Sequence, residues 1–271
     1  MVWKNARTLR VSWVIALAIT MAATAPLGAT IIYSNDFETD TAAMAAGGTL
    51  TGLTRISLPT DSGGMNSPNK SMWLGKLGSA VNKSSTTPET VTLTLANLTP
   101  GTQYDVAFDL LIGASWDGAA GGYGPDRWRF SVDGVNFIDT MFSNNAQGVN
   151  AGAYSPQRYT DTFYSTPGVA ANDVPRFTGA EASWSANRSG DYANDYAIYF
   201  FGHGAGNPTL SFTAATSTAV LQFSRPAGGG DSADEYWALD NVQVTGIPEP
   251  GAALCLAALT CALLSFRPSR R

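Results

Sequence analysis

Residues 89–118 read ETVTLTLANLTPGTQYDVAFDLLIGASWDG, and their two-residue period decides the fold class. Val91, Leu93 and Leu95 alternate with Thr90, Thr92 and Thr94, the pattern of a strand buried on one face. Thr99-Pro100-Gly101 turns the chain, since proline presets its φ and glycine accepts a positive one. Tyr104, Val106, Phe108, Leu110 and Ile112 then form the buried face of the next strand, so two half-buried antiparallel strands are expected.

The same signal recurs on both sides. Asp126 to Val132 gives a strand with Trp128, Phe130 and Val132 inward, and Asp133-Gly134 is a hairpin turn into VNFIDTMF. Further strands are expected at 31–38, 49–58, 70–77, 195–202, 208–214, 218–224 and 235–245. Residues 143–190 are filled by Gly, Ser, Asn and Pro without a clear period, and read as a long excursion at one end. Ten or eleven short strands around one core predict an all-β fold, a two-sheet antiparallel β-sandwich of jelly-roll type.

The two ends differ from this middle. Lys4, Arg7 and Arg10 precede an apolar run from Val11 to Ala25, the layout of a secretory signal helix. Cleavage fits after Ala25 or Ala29, and Pro26 favours Ala29 because its ring obstructs an extended protease-bound backbone; an uncleaved anchor is the alternative. At the other end, Gly251 to Phe266 carries no charge and spans about 24 Å as a helix, slightly under the roughly 30 Å hydrocarbon core. Arg267, Arg270 and Arg271 follow it and stay cytoplasmic by the positive-inside rule. The division expected is 1–29 signal peptide, 30–246 β-sandwich, and 247–271 sorting signal with a transmembrane helix. The chain between is then exported across the inner membrane to the envelope, cell surface or extracellular matrix, held for a time by its C-terminal helix.

Pro248-Glu249-Pro250, an apolar helix and an arginine-rich terminus together resemble the PEP-CTERM sorting signal of bacterial exported proteins. The resemblance covers about the last 25 residues. It implies an exosortase-type processing enzyme as partner and extracellular polysaccharide in the surroundings. The physics of the segment agrees: two prolines bar helix and sheet around Glu249 and keep it extended.

Setting aside the three basic residues at each end leaves ten Lys and Arg against 21 Asp and Glu, a net charge near −11. Nucleic acid and anionic membrane surfaces are poor partners for such a domain, since neither gains from counterion release against it. Cys255 and Cys261 both lie in the C-terminal apolar run, so the exported part has no disulfide and no thiolate chemistry. The acids are mostly Asp, which suits turns and oxygen-ligand cation sites; Ca²⁺ is the one cofactor expected, in a structural role, with solubility the alternative explanation.

YSNDFETD near the start and DEYWALDNVQV near the end resemble the first and last strands of secreted jelly-roll modules of the carbohydrate-binding type. That resemblance implies a structural Ca²⁺ at one sheet edge, with Glu38 and Asp240 as ligands and Asp36 and Asp40 less certain. Independently, Trp237 and Leu239 are of one parity and Val242 and Val244 of the other, so a β-bulge is expected at Asp240-Asn241. The bland reading is a bulge whose Asp caps local N–H groups. Asp109, Asp117 and Asp126 are a second group that would gather at one rim, with loop solvation the alternative.

No catalytic constellation stands out, and a non-enzymatic protein is expected. A glycosidase pair would need two carboxyls about 5–9 Å apart across a cleft, and no spacing identifies one. His203 is the sole histidine, and no G-x-S-x-G motif accompanies it. For sugar binding, Trp73, Trp116, Tyr123, Trp184, Tyr192 and Tyr196 fall in or near loops as platform material, while Trp128 and Trp237 read as core. An exported non-catalytic sandwich is the first functional expectation, a glycan-binding module the alternative, and a polysaccharide hydrolase a distant third.

Overall fold

The computed structural model describes residues 29–48, 52–57, 72–78, 88–118, 126–144, 157–159, 176–184, 195–202, 210–226 and 235–247. The expected signal peptide 1–29 except its last residue, the expected sorting signal 247–271 except its first, and His203, Tyr123 and Tyr192 lie outside them. Among the described residues there are thirteen strands: β1 (Thr30–Asn35), β2 (Met44–Gly48), β3 (Arg55–Ser57), β4 (Met72–Leu77), β5 (Glu89–Leu95), β6 (Gln103–Ala114), β7 (Arg127–Val132), β8 (Val135–Met141), β9 (Ala182–Trp184), β10 (Tyr196–Phe201), β11 (Leu210–Thr213), β12 (Ala219–Arg225) and β13 (Glu235–Ile247).

They form two sheets. The larger has eight strands in the order β3-β4-β13-β6-β10-β9, with β1 also on β13 and β11 also on β6. The smaller has five, in the order β2-β5-β12-β7-β8. The all-β, two-sheet antiparallel expectation holds.

One detail of the opening stretch does not. β5 pairs with β2 and β12, whereas β6 pairs with β10 and β11, so the two strands lie in different sheets rather than side by side. The Thr99-Pro100-Gly101 turn is a corner between sheets. Its exposed N–H groups are met from another connection: Gly101 donates to the Ala214 carbonyl at 2.8 Å and Leu98 to that of Ser217 at 2.9 Å. By contrast β7 and β8 form the hairpin expected, and Asp133 (φ 48°) and Gly134 (φ 80°) give its turn the two positive φ angles that suit twisted strands.

The core lies between the sheets. Val106, Phe108, Leu110 and Ile112 of the larger sheet pack in one buried cluster with Val91, Leu93, Trp128, Phe130, Leu221 and Phe223 of the smaller. Phe108 is its hub, with ring centroids 5.3 Å from Phe130, 5.1 Å from Phe223 and 4.7 Å from Phe201. Burying each such ring stabilises the fold by roughly 1.5–3 kcal/mol. Trp128 and Trp237, read as core, meet edge to face at 6.0 Å.

The larger sheet is also covered on its other face. Trp73, Leu111, Tyr196, Ile198, Tyr236 and Ala238 form a second buried cluster there. Gly113 is required by it, because a Cβ at that position would stand 2.2 Å from Tyr236 Cζ. This second layer corrects the platform expectation for Trp73 and Tyr196, which are buried beside β13 and β6. Trp116 is corrected too: it is fully buried, and its indole N–H donates to the Tyr236 carbonyl at 3.0 Å.

Candidate functional site

Two places gather polar chemistry, and the first lies on the outer face of the larger sheet. Before residue 240 the inward residues of β13 are Trp237 and Leu239; after it they are Val242 and Val244, all four in the inter-sheet core. Asn241 takes the strain of the switch, at φ 51°. The bulge therefore stands where the parity argument put it, and it sets Asn241 and Gln243 on the outer face.

There they line a pocket of about 410 Å³ with Ser34, Asn35, Asp36, Asp109 and Phe200. The floor is made by strand register: Phe200 of β10 lies directly opposite Asp109 of β6. Asn241 donates its side-chain N–H to Asp109 Oδ2 at 2.8 Å, which fixes both groups. A ring, two carboxylates and three side-chain amides thus converge in one concavity.

The expected calcium ligands are distributed differently. Asp36 is exposed, and its Oδ1 accepts from the Glu38 N–H at 3.1 Å. Glu38 is exposed, and its Oε1 accepts from the Met72 N–H at 2.8 Å. Asp240 is fully buried, its Oδ1 accepting from the Asn241 N–H at 2.7 Å. Asp40 is exposed, and its Oδ1 takes the Ala42 N–H at 2.9 Å. Local capping engages Asp36, Asp40 and Asp240, and a backbone N–H of β4 engages Glu38.

The second place is acidic and buried. Among the described residues, Asp117, Asp126 and Glu235 are the three whose carboxylate oxygens lie within 4.8 Å of one another. They come from just after β6, just before β7 and the first residue of β13, so strand ends meeting at one end of the sandwich bring them together. The expectation that Asp109 would join Asp117 and Asp126 is corrected. Asp109 lies within β6, bonded to Asn241 on the outer face, whereas Asp117 lies beyond the end of β6, and Glu235 takes the third position instead.

Asp126 organises this end. Its Oδ2 accepts from the Asp117 N–H and, at 3.2 Å, from the Gly118 N–H. Its Oδ1 is buried with no hydrogen-bond partner among the described residues. Burial pushes the Asp126 carboxyl well above the usual carboxylate range, and the like charge of Glu235 pushes the same way. Arg225, the last residue of β12, pairs with Glu235 Oε2 and lies with its guanidinium carbon 5.2 Å from the centre of the Trp116 ring. Opposite Arg225 in the ladder stands Glu89, also buried.

No protein-family model matches the chain, and no curated protein matches it by sequence. Solved structures resemble it in outline. A carbohydrate esterase of the Shiga toxin-encoding bacteriophage phi24B is 12% identical, with a TM-score of 0.37, over 82% of this chain and 100% of its own. The winged bean acidic lectin, solved with methyl-α-D-galactose, is 13% identical with a TM-score of 0.34, over 81% and 99%. Arcelin-5, a lectin-like defence protein of Phaseolus vulgaris, is 9% identical with a TM-score of 0.37, over 79% and 96%. Superposition this loose leaves the architecture to be read from the chain's own strands.

Proposed function

We propose that this protein is an exported, non-catalytic β-sandwich of jelly-roll type that binds carbohydrate in the outer pocket between β1, β6, β10 and β13. The pocket carries the reading. Its volume of about 410 Å³ falls within the usual range of small-molecule sites. The Phe200 ring suits the C–H face of a pyranose, while Asp36, Asp109, Asn35, Asn241 and Gln243 offer paired acceptors and donors to sugar hydroxyls. Asp109 and Asn241 hold each other before any ligand arrives, so little ordering remains to be done on binding.

The terminal segments complete the proposal. The Pro248-Glu249-Pro250 string, the apolar run and Arg267, Arg270 and Arg271 deliver the chain to an exosortase-type enzyme while the C-terminal helix holds it in the membrane. The carbohydrate met there is extracellular polysaccharide, and the protein acts at the cell surface or in the matrix.

The test is a glycan array probed with the full chain, followed by titration of the best ligand. Saturable binding that falls at least tenfold in Phe200→Ala and in Asp109→Asn is expected. Absence of binding, or binding untouched by both substitutions, would overturn the pocket's role in favour of a purely structural matrix protein.

A further inference from the structure

We infer that Asp117, Asp126 and Glu235, with the hydroxyl of Ser143, form a binding site for a hard divalent cation, Ca²⁺ by the number of protein oxygens they offer. This site is separate from Glu38, Asp36 and Asp240, and it does not depend on the carbohydrate reading.

The spacing is the first argument. Oxygens opposite one another on a calcium ion are separated by about 4.6–5.2 Å, twice the ordinary Ca–O distance, and those on a magnesium ion by about 4.2 Å. Three carboxylate oxygens within 4.8 Å of one another can all reach one calcium ion. All are oxygen donors, which a hard cation prefers and a softer one does not.

A second observation comes from outside the acids. Ser143 forms an antiparallel bridge with Asp117, so their side chains lie on the same side of the pair with Cβ atoms about 5 Å apart. Ser143 is fully buried, and its Oγ has no hydrogen-bond partner among the described residues. A buried hydroxyl without a partner beside three carboxylates is a fourth oxygen of the kind calcium takes. Asp126 Oδ1, equally buried and equally without a partner, is a ligand atom whose sister oxygen is already fixed by two N–H groups.

Charge agrees, since a divalent cation brings positive charge to three converging carboxylates. Arg225 donates to Glu235 Oε2 and, at 3.2 Å, to the Glu235 carbonyl.

The experiment is Tb³⁺ binding to the full chain, read as luminescence sensitised by tryptophan, with Ca²⁺ as competitor and melting measured with Ca²⁺ or with chelator. Trp116 adjoins Asp117 in the chain and is the expected donor. Saturable emission displaced by Ca²⁺ is expected, with a melting temperature about 5–10 °C higher at a hundredfold excess over Kd than in chelator. Asp126→Asn should abolish both responses, and Ser143→Ala, a smaller change that spares the fold, should weaken Ca²⁺ at least threefold. Glu38→Gln should leave them intact. Absent emission with equal melting in Ca²⁺ and chelator would overturn the site, as would responses lost in Glu38→Gln and kept in Ser143→Ala.

Discussion

The outer pocket and the buried acidic cluster are both built on carboxylates, and their company distinguishes them. In the pocket, Asp109 is answered by a neutral amide donor from Asn241, and four more polar side chains stand beside an aromatic ring. In the cluster, three carboxylates converge against one guanidinium. A carboxylate matched by neutral donors is suited to share hydrogen bonds with a hydroxylated ligand. Carboxylates gathered against one another call for positive charge. An acidic residue's position in the sequence says little about which of these it will become.

The largest effect should come from breaking the cluster's pairing of Arg225 with Glu235. Arg225 and Glu235 each have 3% of their side chains exposed, so removing the guanidinium leaves a buried carboxylate without its counter-ion. Arg225→Met should destabilise by about 3–5 kcal/mol in chemical denaturation. A cost under about 1 kcal/mol would mean that the cluster does not carry the charge assigned to it, and the contrast with the pocket would collapse.

Next is the framework that the outer face rests on. Gly113→Ala would drive a methyl into the Tyr236 ring and should cost about 1–3 kcal/mol by overpacking. Combining it with Tyr236→Leu should recover part of that loss, since a smaller side chain gives the methyl room. Additive losses in the double variant would show that the clash is relieved by movement elsewhere.

Much of this framework was legible in the sequence because alternation survives wherever one face is buried and the other is not. β5, β7 and the inner face of β6 follow it residue by residue. β2 and β9 were missed for opposite reasons: MAAGG has no β-branched residue to signal a strand, and ASW is three residues inside a polar excursion. Trp73 and Tyr196 were misread because the larger sheet is buried on both faces, where alternation no longer separates core from surface, and Trp116 because it follows β6 into the inter-sheet core. The bulge at Asp240-Asn241 was readable as a change of parity. The partnership of Asp126 with Glu235, more than a hundred residues apart, was not, since only the sheet order brings those strand ends together.

A smaller effect belongs to the pocket's own latch. Asn241→Ala removes the donor to Asp109 and places a residue without a polar side chain at φ 51°. A loss of about 1–3 kcal/mol is expected, and glycan affinity should fall together with stability. If stability falls while affinity stays, Asn241 serves the bulge and not the ligand.

The smallest effect at neutral pH, and the most informative about the boundary between the two places, is expected at Tyr236. Its backbone carbonyl accepts from Trp116 on the cluster side, while its ring lies in the outer cluster with the Lys76 ammonium 4.5 Å from the ring centre. Its hydroxyl is buried with no hydrogen-bond partner among the described residues, so Tyr236→Phe should be neutral or stabilising by up to about 1 kcal/mol at pH 7. Alkaline solution separates the variants. Burial pushes the Tyr236 phenol up from 10.0 to about 12, so the folded protein keeps a proton that the unfolded chain releases. The folded state is then at no disadvantage below pH 10, and its stability falls as pH rises from about 10 toward 12, by up to roughly 3 kcal/mol. The difference in stability between the native protein and Tyr236→Phe should accordingly widen in favour of the variant over that window. Parallel curves would mean that the phenol reaches water, and that the outer layer is open at the point where it meets the acidic cluster.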